Sequence, residues 1–121
     1  MSTGHTINIV PSDAHVEVRL GGTLLASTDR AVQLEETGLP PRYYLPRDDV
    51  HMELFRTTSF HTTCPFKGKA SYLSVGVDGQ TYEGIVWSYE NPKPEVADIG
   101  GMLSFYPDRT QITVNGEALN A

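Results

Sequence analysis

Apolar and polar residues alternate with a period of two along most of the chain, and the alternating runs meet in pairs at glycine turns. Gly21-Gly22 joins HVEVRL to TLLAST, Asp78-Gly79 joins SYLSVGV to QTYEGIVWSY, and Asn115-Gly116 joins ITV to EAL. Such dipeptides supply the two positive φ angles of a type I′ turn, so three antiparallel hairpins are predicted. Side-chain parity then assigns faces. In the first hairpin Val16, Val18, Leu20 and Leu25 share one face, with Glu17 and Arg19 opposite, which describes a half-buried pair. In the middle hairpin Leu73, Val75, Val77, Tyr82 and Val86 share a face. The opposite face carries Thr81 and Glu83 near the turn but Tyr72, Ile85, Trp87 and Tyr89 at the far end. That end is predicted to be covered on both sides, close to the segment carrying Cys64 and Lys67.

Weaker alternation over Arg30–Glu35 predicts a further strand, as does a cleaner one at Val50, Met52 and Leu54 against His51 and Glu53. MLSFY at 102–106, stopped by Pro107, predicts another. Pro94–Ile99 is the one helical candidate, with proline in its first turn and Gly100 at its stop. The fold class is mainly β, a closed or nearly closed antiparallel sheet with one or two short helical turns. Neither repeats nor a linker divide the 121 residues, a length suited to one domain with a real core.

Thr37–Val50, TGLPPRYYLPRDDV, breaks the alternation. Pro40, Pro41 and Pro46 fix three φ angles, remove three backbone donors and hold their predecessors extended. The stretch is predicted to be a rigid loop, and it presents Arg42, Tyr43, Tyr44 and Arg47 as a binding wall. The guanidinium groups suit bidentate recognition of an anion, or an ion pair with Glu35, Glu36, Asp48 or Asp49.

A second anchor is HTTCPFKGKASY at 61–72, where Pro65 and Gly68 bracket a tight turn that fixes Cys64 relative to Lys67. A cysteine beside a lysine is a candidate nucleophile, with His61 as its base; the plainer reading is a small buried thiol. His61 and Cys64, even with His51, fall short of a structural zinc set, so no metal is expected. Lys67 is a candidate anchor for a phosphate or carboxylate. Glu35 and Glu36 are candidate general bases, but adjacent strand residues point to opposite faces, so at most one reaches a shared pocket. Trp87 and Tyr89 suit stacking on a flat ligand ring, or filling the core.

Composition narrows the partners. Hydrophobic residues make up 39% and charged residues 20%, as in a folded globular chain. A net charge of −6 argues against nucleic acid, which needs a basic face. No apolar run approaches the ~18 residues that span a bilayer, and MSTGHTINIV does not read as a signal peptide. One cysteine excludes an internal disulfide, so a reducing cytoplasm is the expected location. Within this acidic chain Arg42, Arg47, Arg56, Lys67 and Lys69 fall between residues 42 and 69, against only Asp48, Asp49 and Glu53 there, a bias that favours a small anion. All eleven aromatic residues lie between Tyr43 and Tyr106.

Three segments, ETGLPPRYYLPRDDV, TTCPFKGKASYLSV and VWSYENPKPEVADIGGMLSFYPDR, together resemble the family DUF427, a domain of unknown function. The resemblance covers roughly residues 14–115 in the family's order and spacing. It implies a compact antiparallel β-barrel or β-tent-like domain over residues 14–121, after an N-terminal segment of residues 1–13. It also implies one pocket lined by Glu36, Arg42, Tyr43, Tyr44, Cys64, Lys67, Gly68, Tyr72, Trp87, Tyr89 and Tyr106. The family carries a nucleotidyltransferase label as well, but this chain lacks the Gly-Ser turn and Mg²⁺-holding carboxylates of such sites. Relatives in the β-tent group often bind zinc through paired cysteines, which one cysteine cannot supply.

Three functional expectations follow. The first is a domain that binds a small, anionic, partly planar molecule, with Arg42 and Lys67 holding the charge and Trp87, Tyr89 and Tyr44 packing on the ring. The second is an enzyme that uses Cys64 or one of Glu35 and Glu36, with Lys67 or Tyr44 as acid. The third is a protein-interaction or homodimer face. The sequence leaves the identity of any cofactor open.

Overall fold

The structure, a computed structural model, describes residues 5–119. The outermost residues of the expected N-terminal segment and β domain, 1–4 and 120–121, lie outside that range. Three antiparallel sheets make up the fold. The first contains β1 (Ile7–Pro11), β4 (Val32–Glu36) and β5 (Arg42–Tyr44), in that order. The second has the order β11-β10-β2-β3, with β2 at Val16–Leu20, β3 at Thr23–Thr28, β10 at Gln111–Val114 and β11 at Glu117–Ala118. The third runs β6 (Phe55–Cys64), β7 (Gly68–Val77), β8 (Gln80–Ser88) and β9 (Leu103–Phe105).

The three expected hairpins are present: β2–β3, β7–β8 and β10–β11 are antiparallel neighbours. Both residues of each turn have positive φ, including the non-glycine Asp78 at +53° and Asn115 at +52°, as a type I′ turn requires. Single bridges stitch the sheets together rather than closing them into one barrel. Leu45 and Leu103 exchange backbone hydrogen bonds of 2.8 and 2.9 Å, joining the end of β5 to β9. Val50 bridges Ala26 on β3.

The two faces of β7–β8 pack into two separate cores. Leu73, Val75 and Val86 meet Val16, Val18, Leu25 and Phe105 in the first. Ala70, Trp87 and Tyr89 meet Leu34, Tyr44, Val96 and Ile99 in the second. The end away from the Asp78-Gly79 turn is thus covered on both sides, as parity predicts. Ile85 departs from that parity and joins the first core. The β7–β8 register shifts between Leu73 and Val75, and Gly84 at φ +62° marks the bulge. Such an insertion reassigns a neighbouring side chain.

Two other expectations are corrected. Val50, Met52 and Leu54 do not form a strand; they belong to a pair of 3-10 turns, Arg47–Asp49 and Met52–Leu54, and their junctions. Their apolar side chains still pack on the first core, so the alternation reports burial and not strand geometry. The proline-rich stretch is not wholly a loop. Pro40 and Pro41 deliver an extended chain to β5, which pairs with β4 as Leu34↔Arg42 and Val32↔Tyr44. The helical candidate forms as a 3-10 segment, Pro94–Ile99, kinked at Val96. Strand β1 lies inside the N-terminal segment and pairs along all of β4. Among the described residues no helix is long and apolar enough to cross a membrane.

Candidate functional site

A cavity of about 200 Å³ opens where the first and third sheets meet. Strand alternation on β4 and β5 sends Leu34, Glu36, Arg42 and Tyr44 to one side, and all four line it. Leu39 and Pro40 form the rim, reached through a turn in which Leu39 N–H donates to the Glu36 carbonyl and Gly38 takes φ +80°. From the third sheet come Tyr72 and Trp87, directly opposite one another on β7 and β8, followed by Tyr89 and Tyr106. Lys67 enters from the β6–β7 turn. That turn ends at Gly68, whose φ of +114° suits glycine, and the Lys67 carbonyl is held by Lys93 N–H at 3.0 Å.

The two cations in this cavity differ in kind. Lys67 Nζ lies 2.5 Å from Glu36 Oε1, with the side chains 12% and 6% exposed. Arg42, half-buried, pairs with no carboxylate among the described residues; its guanidinium lies over the Trp87 ring, 5.6 Å from the centroid. Glu36 also stands 3.2 Å from His5 Nε2, but the orientation is wrong for a hydrogen bond, and that buried nitrogen has no hydrogen-bond partner among the described residues.

The phenols divide by partner. Tyr44 Oη accepts from Trp87 Nε1–H at 3.0 Å, with the two rings edge to face at 6.3 Å. Burial pushes the Tyr44 phenol up to about 12, only partly offset by the indole donor. Burial likewise raises Tyr89 well above the ordinary phenol value, and Tyr89 Oη has no hydrogen-bond partner among the described residues. Tyr106 is pushed up to about 12, first by burial and then by the neighbouring Tyr72 hydroxyl. Tyr72 Oη is also 3.0 Å from Thr62 Oγ1.

The structure thus brings together Glu36, Arg42, Tyr44, Lys67, Tyr72, Trp87, Tyr89 and Tyr106 from the expected site. Others lie elsewhere. Tyr43 faces the opposite way and packs on the first core. Arg47 donates from Nε to the Gly101 carbonyl at 2.7 Å and pairs with Glu90, clamping the proline stretch to the β8–β9 connection. Glu35 is exposed, on the face opposite Glu36. Cys64 is half-buried against the second core and has no hydrogen-bond partner among the described residues. Trp87 is 8% exposed and lies against Arg42, Tyr44 and Tyr106, so it forms the floor of the cavity. Among the described residues no three His, Cys, Asp or Glu side chains converge as a metal site. His5 is the neighbour that sequence reasoning missed, because nothing in MSTGHTINIV ties it to Glu36.

A family model described as a domain of unknown function, DUF427, matches residues 8–116. No curated protein matches the chain.

Proposed function

The chain belongs to the DUF427 family, and we propose that it binds a small, anionic, partly planar molecule in the cavity between its first and third sheets. One observation carries this reading: among the described residues Arg42 presents a guanidinium without a carboxylate partner beside four tyrosines, while Lys67, the other cation of the cavity lining, is neutralised by Glu36. The cavity therefore has one uncompensated positive charge, and a guanidinium prefers a planar, two-oxygen acceptor. Tyr89 Oη adds a donor with no partner among the described residues. At about 200 Å³ the space is below the roughly 300–1,000 Å³ of drug-sized sites, which fits a carboxylate or phosphate on a small body. Trp87 acts from below by holding Arg42 in place, and the tyrosine rings flank the flat part of the ligand.

Thermal unfolding and calorimetric titration with benzoate, inorganic phosphate and acetate test this. A ligand that binds only the folded state adds about 2.7 kcal/mol at one hundred times its Kd, an easily measured rise in Tm. The expected result is stabilisation of the native chain by at least one of these anions and at least tenfold weaker binding by Arg42→Ala. Equal binding by Arg42→Ala, or no response to any anion, would remove the proposal.

A further inference from the structure

Beyond the Tyr72–Tyr106 pair lies a second and larger cavity, of about 570 Å³, that shares both tyrosines with the first. Phe60, on β6, is held against Tyr72 with ring centroids 5.1 Å apart, yet it remains 61% exposed. The β6–β7 register breaks between Thr57 and His61, and this irregularity carries Phe60 into the cavity wall. Glu83 and Asp108 line the same cavity and are exposed, and among the described residues neither carboxylate has an ion-pair partner. Arg109 donates to the Glu83 carbonyl at 3.0 Å, which fixes the far wall. Gly84 contributes no side chain, and the space in front of it is open.

An exposed aromatic ring in one cavity with two unpaired hydrogen-bond acceptors, flanked on its own strand by Thr58 and Thr62, has a definite chemical complement. Phe60 offers an apolar plate to the C–H face of a saturated ring, and Glu83 and Asp108 accept from hydroxyl groups around its edge. The two cavities meet at Tyr72 and Tyr106, and both Arg42 and Arg109 act electrostatically on the Tyr106 hydroxyl, one from each side. We propose that the outer cavity is a sugar-binding subsite, and that the ligand is a polyhydroxylated ring carrying an anionic group. The anion sits against Arg42 and the ring lies on Phe60. This rests on the reading of the inner cavity as an anion site, and it adds the chemical class of the rest of the molecule.

Calorimetric titration of the full chain with glucose 6-phosphate, glucuronate, inorganic phosphate, acetate and glucose separates the two claims. At least tenfold tighter binding of glucose 6-phosphate than phosphate, or of glucuronate than acetate, is expected, and the arm that responds identifies phosphate or carboxylate as the anion. Phe60→Ala, a surface change checked by circular dichroism, should erase that gain and leave binding of the bare anion as in the native chain. Equal affinity for sugar-bearing and bare anions, or a gain that survives in Phe60→Ala, would overturn the outer subsite and leave the inner one standing. Glucose binding that Arg42→Ala retains, with no response to any anion, would overturn the inner reading instead. No binding of any of these compounds would overturn both.

Discussion

Lys67 and Glu36 form a buried ion pair that ties the β6–β7 turn to the end of β4, with Nζ 2.5 Å from Oε1. The pair adds a charged link to the seam that the Leu45–Leu103 bridge and the Trp87–Tyr44 hydrogen bond also span, and it leaves the cavity's net charge to Arg42. Removing one member of such a pair strands the other charge away from water, at a cost of roughly 3 kcal/mol. Glu36→Leu and Lys67→Met should each lower stability by about that amount in urea unfolding, and the double variant should lose less than the sum. Strict additivity would show that the two groups do not act as a pair.

Trp87 Nε1–H has Tyr44 Oη as its buried acceptor. Tyr44→Phe keeps the ring and removes the oxygen, so the indole donor is left unsatisfied at a cost of about 1–3 kcal/mol. Trp87→Phe/Tyr44→Phe, which removes both polar groups, should recover part of that loss. Chemical denaturation of the three variants gives the answer, and a neutral Tyr44→Phe would contradict the observed bond.

The raised phenols fix a pH dependence. Tyr44 ionises at about 12 when folded, against 10.0 for the ordinary phenol, and Tyr106 also rises to about 12. Because the folded state disfavours phenolate, this stability is fully present below about 10 and is lost as the pH climbs toward 12. Alkaline unfolding should therefore steepen in that window. Phenolate absorbance of the folded chain should lag behind that of the urea-unfolded chain over the same range. Coincident titration curves would refute the burial argument.

Arg47 has the residue type of an anion anchor and the surroundings of a clamp. Its Nε–Gly101 bond of 2.7 Å and its pair with Glu90 hold the proline stretch in place. Arg47→Ala should lower stability by about 1.5–3 kcal/mol, the range for hydrogen bonds to a charged group, and leave anion affinity unchanged. Weakened binding with unchanged stability would reverse the assignment.

Gly68 sits at φ +114°, and a Cβ there would come within 3.6 Å of the Lys93 nitrogen. Gly68→Ala places an L-residue in a disfavoured conformation and should cost about 1–2 kcal/mol. It also disturbs the turn that aims Lys67, so its effect should overlap with that of Lys67→Met in a double-mutant comparison. Independent effects would separate the turn from the ion pair.

The hairpins were legible because asparagine, aspartate and glycine turns are local chemistry, and the two-sided packing of β7–β8 followed from parity alone. Convergence of Tyr72, Trp87 and Tyr89 on Lys67 was legible for the same reason. The strand read at Val50–Leu54 was not there, because 3-10 turns between Pro46 and Phe55 can bury alternate residues as a strand does. The bulge at Gly84 and the placement of Phe60 depend on non-local register, which periodicity does not carry. Nor did residue type separate Arg42 from Arg47, since what distinguishes them is where Glu90 and Gly101 return in space.

The seam between the first and third sheets has a kinetic consequence. Glu36 and Lys67 are 31 residues apart, and Tyr44 and Trp87 are 43 apart, whereas each hairpin closes through a two-residue turn. Local hairpins form early and cheaply, but contacts of this separation wait until long loops have closed. The cavity therefore comes into being only when preformed pieces dock. An occupant has nothing to grip before that moment, so it would leave the rate of folding untouched and lengthen the lifetime of the folded chain by slowing its unfolding.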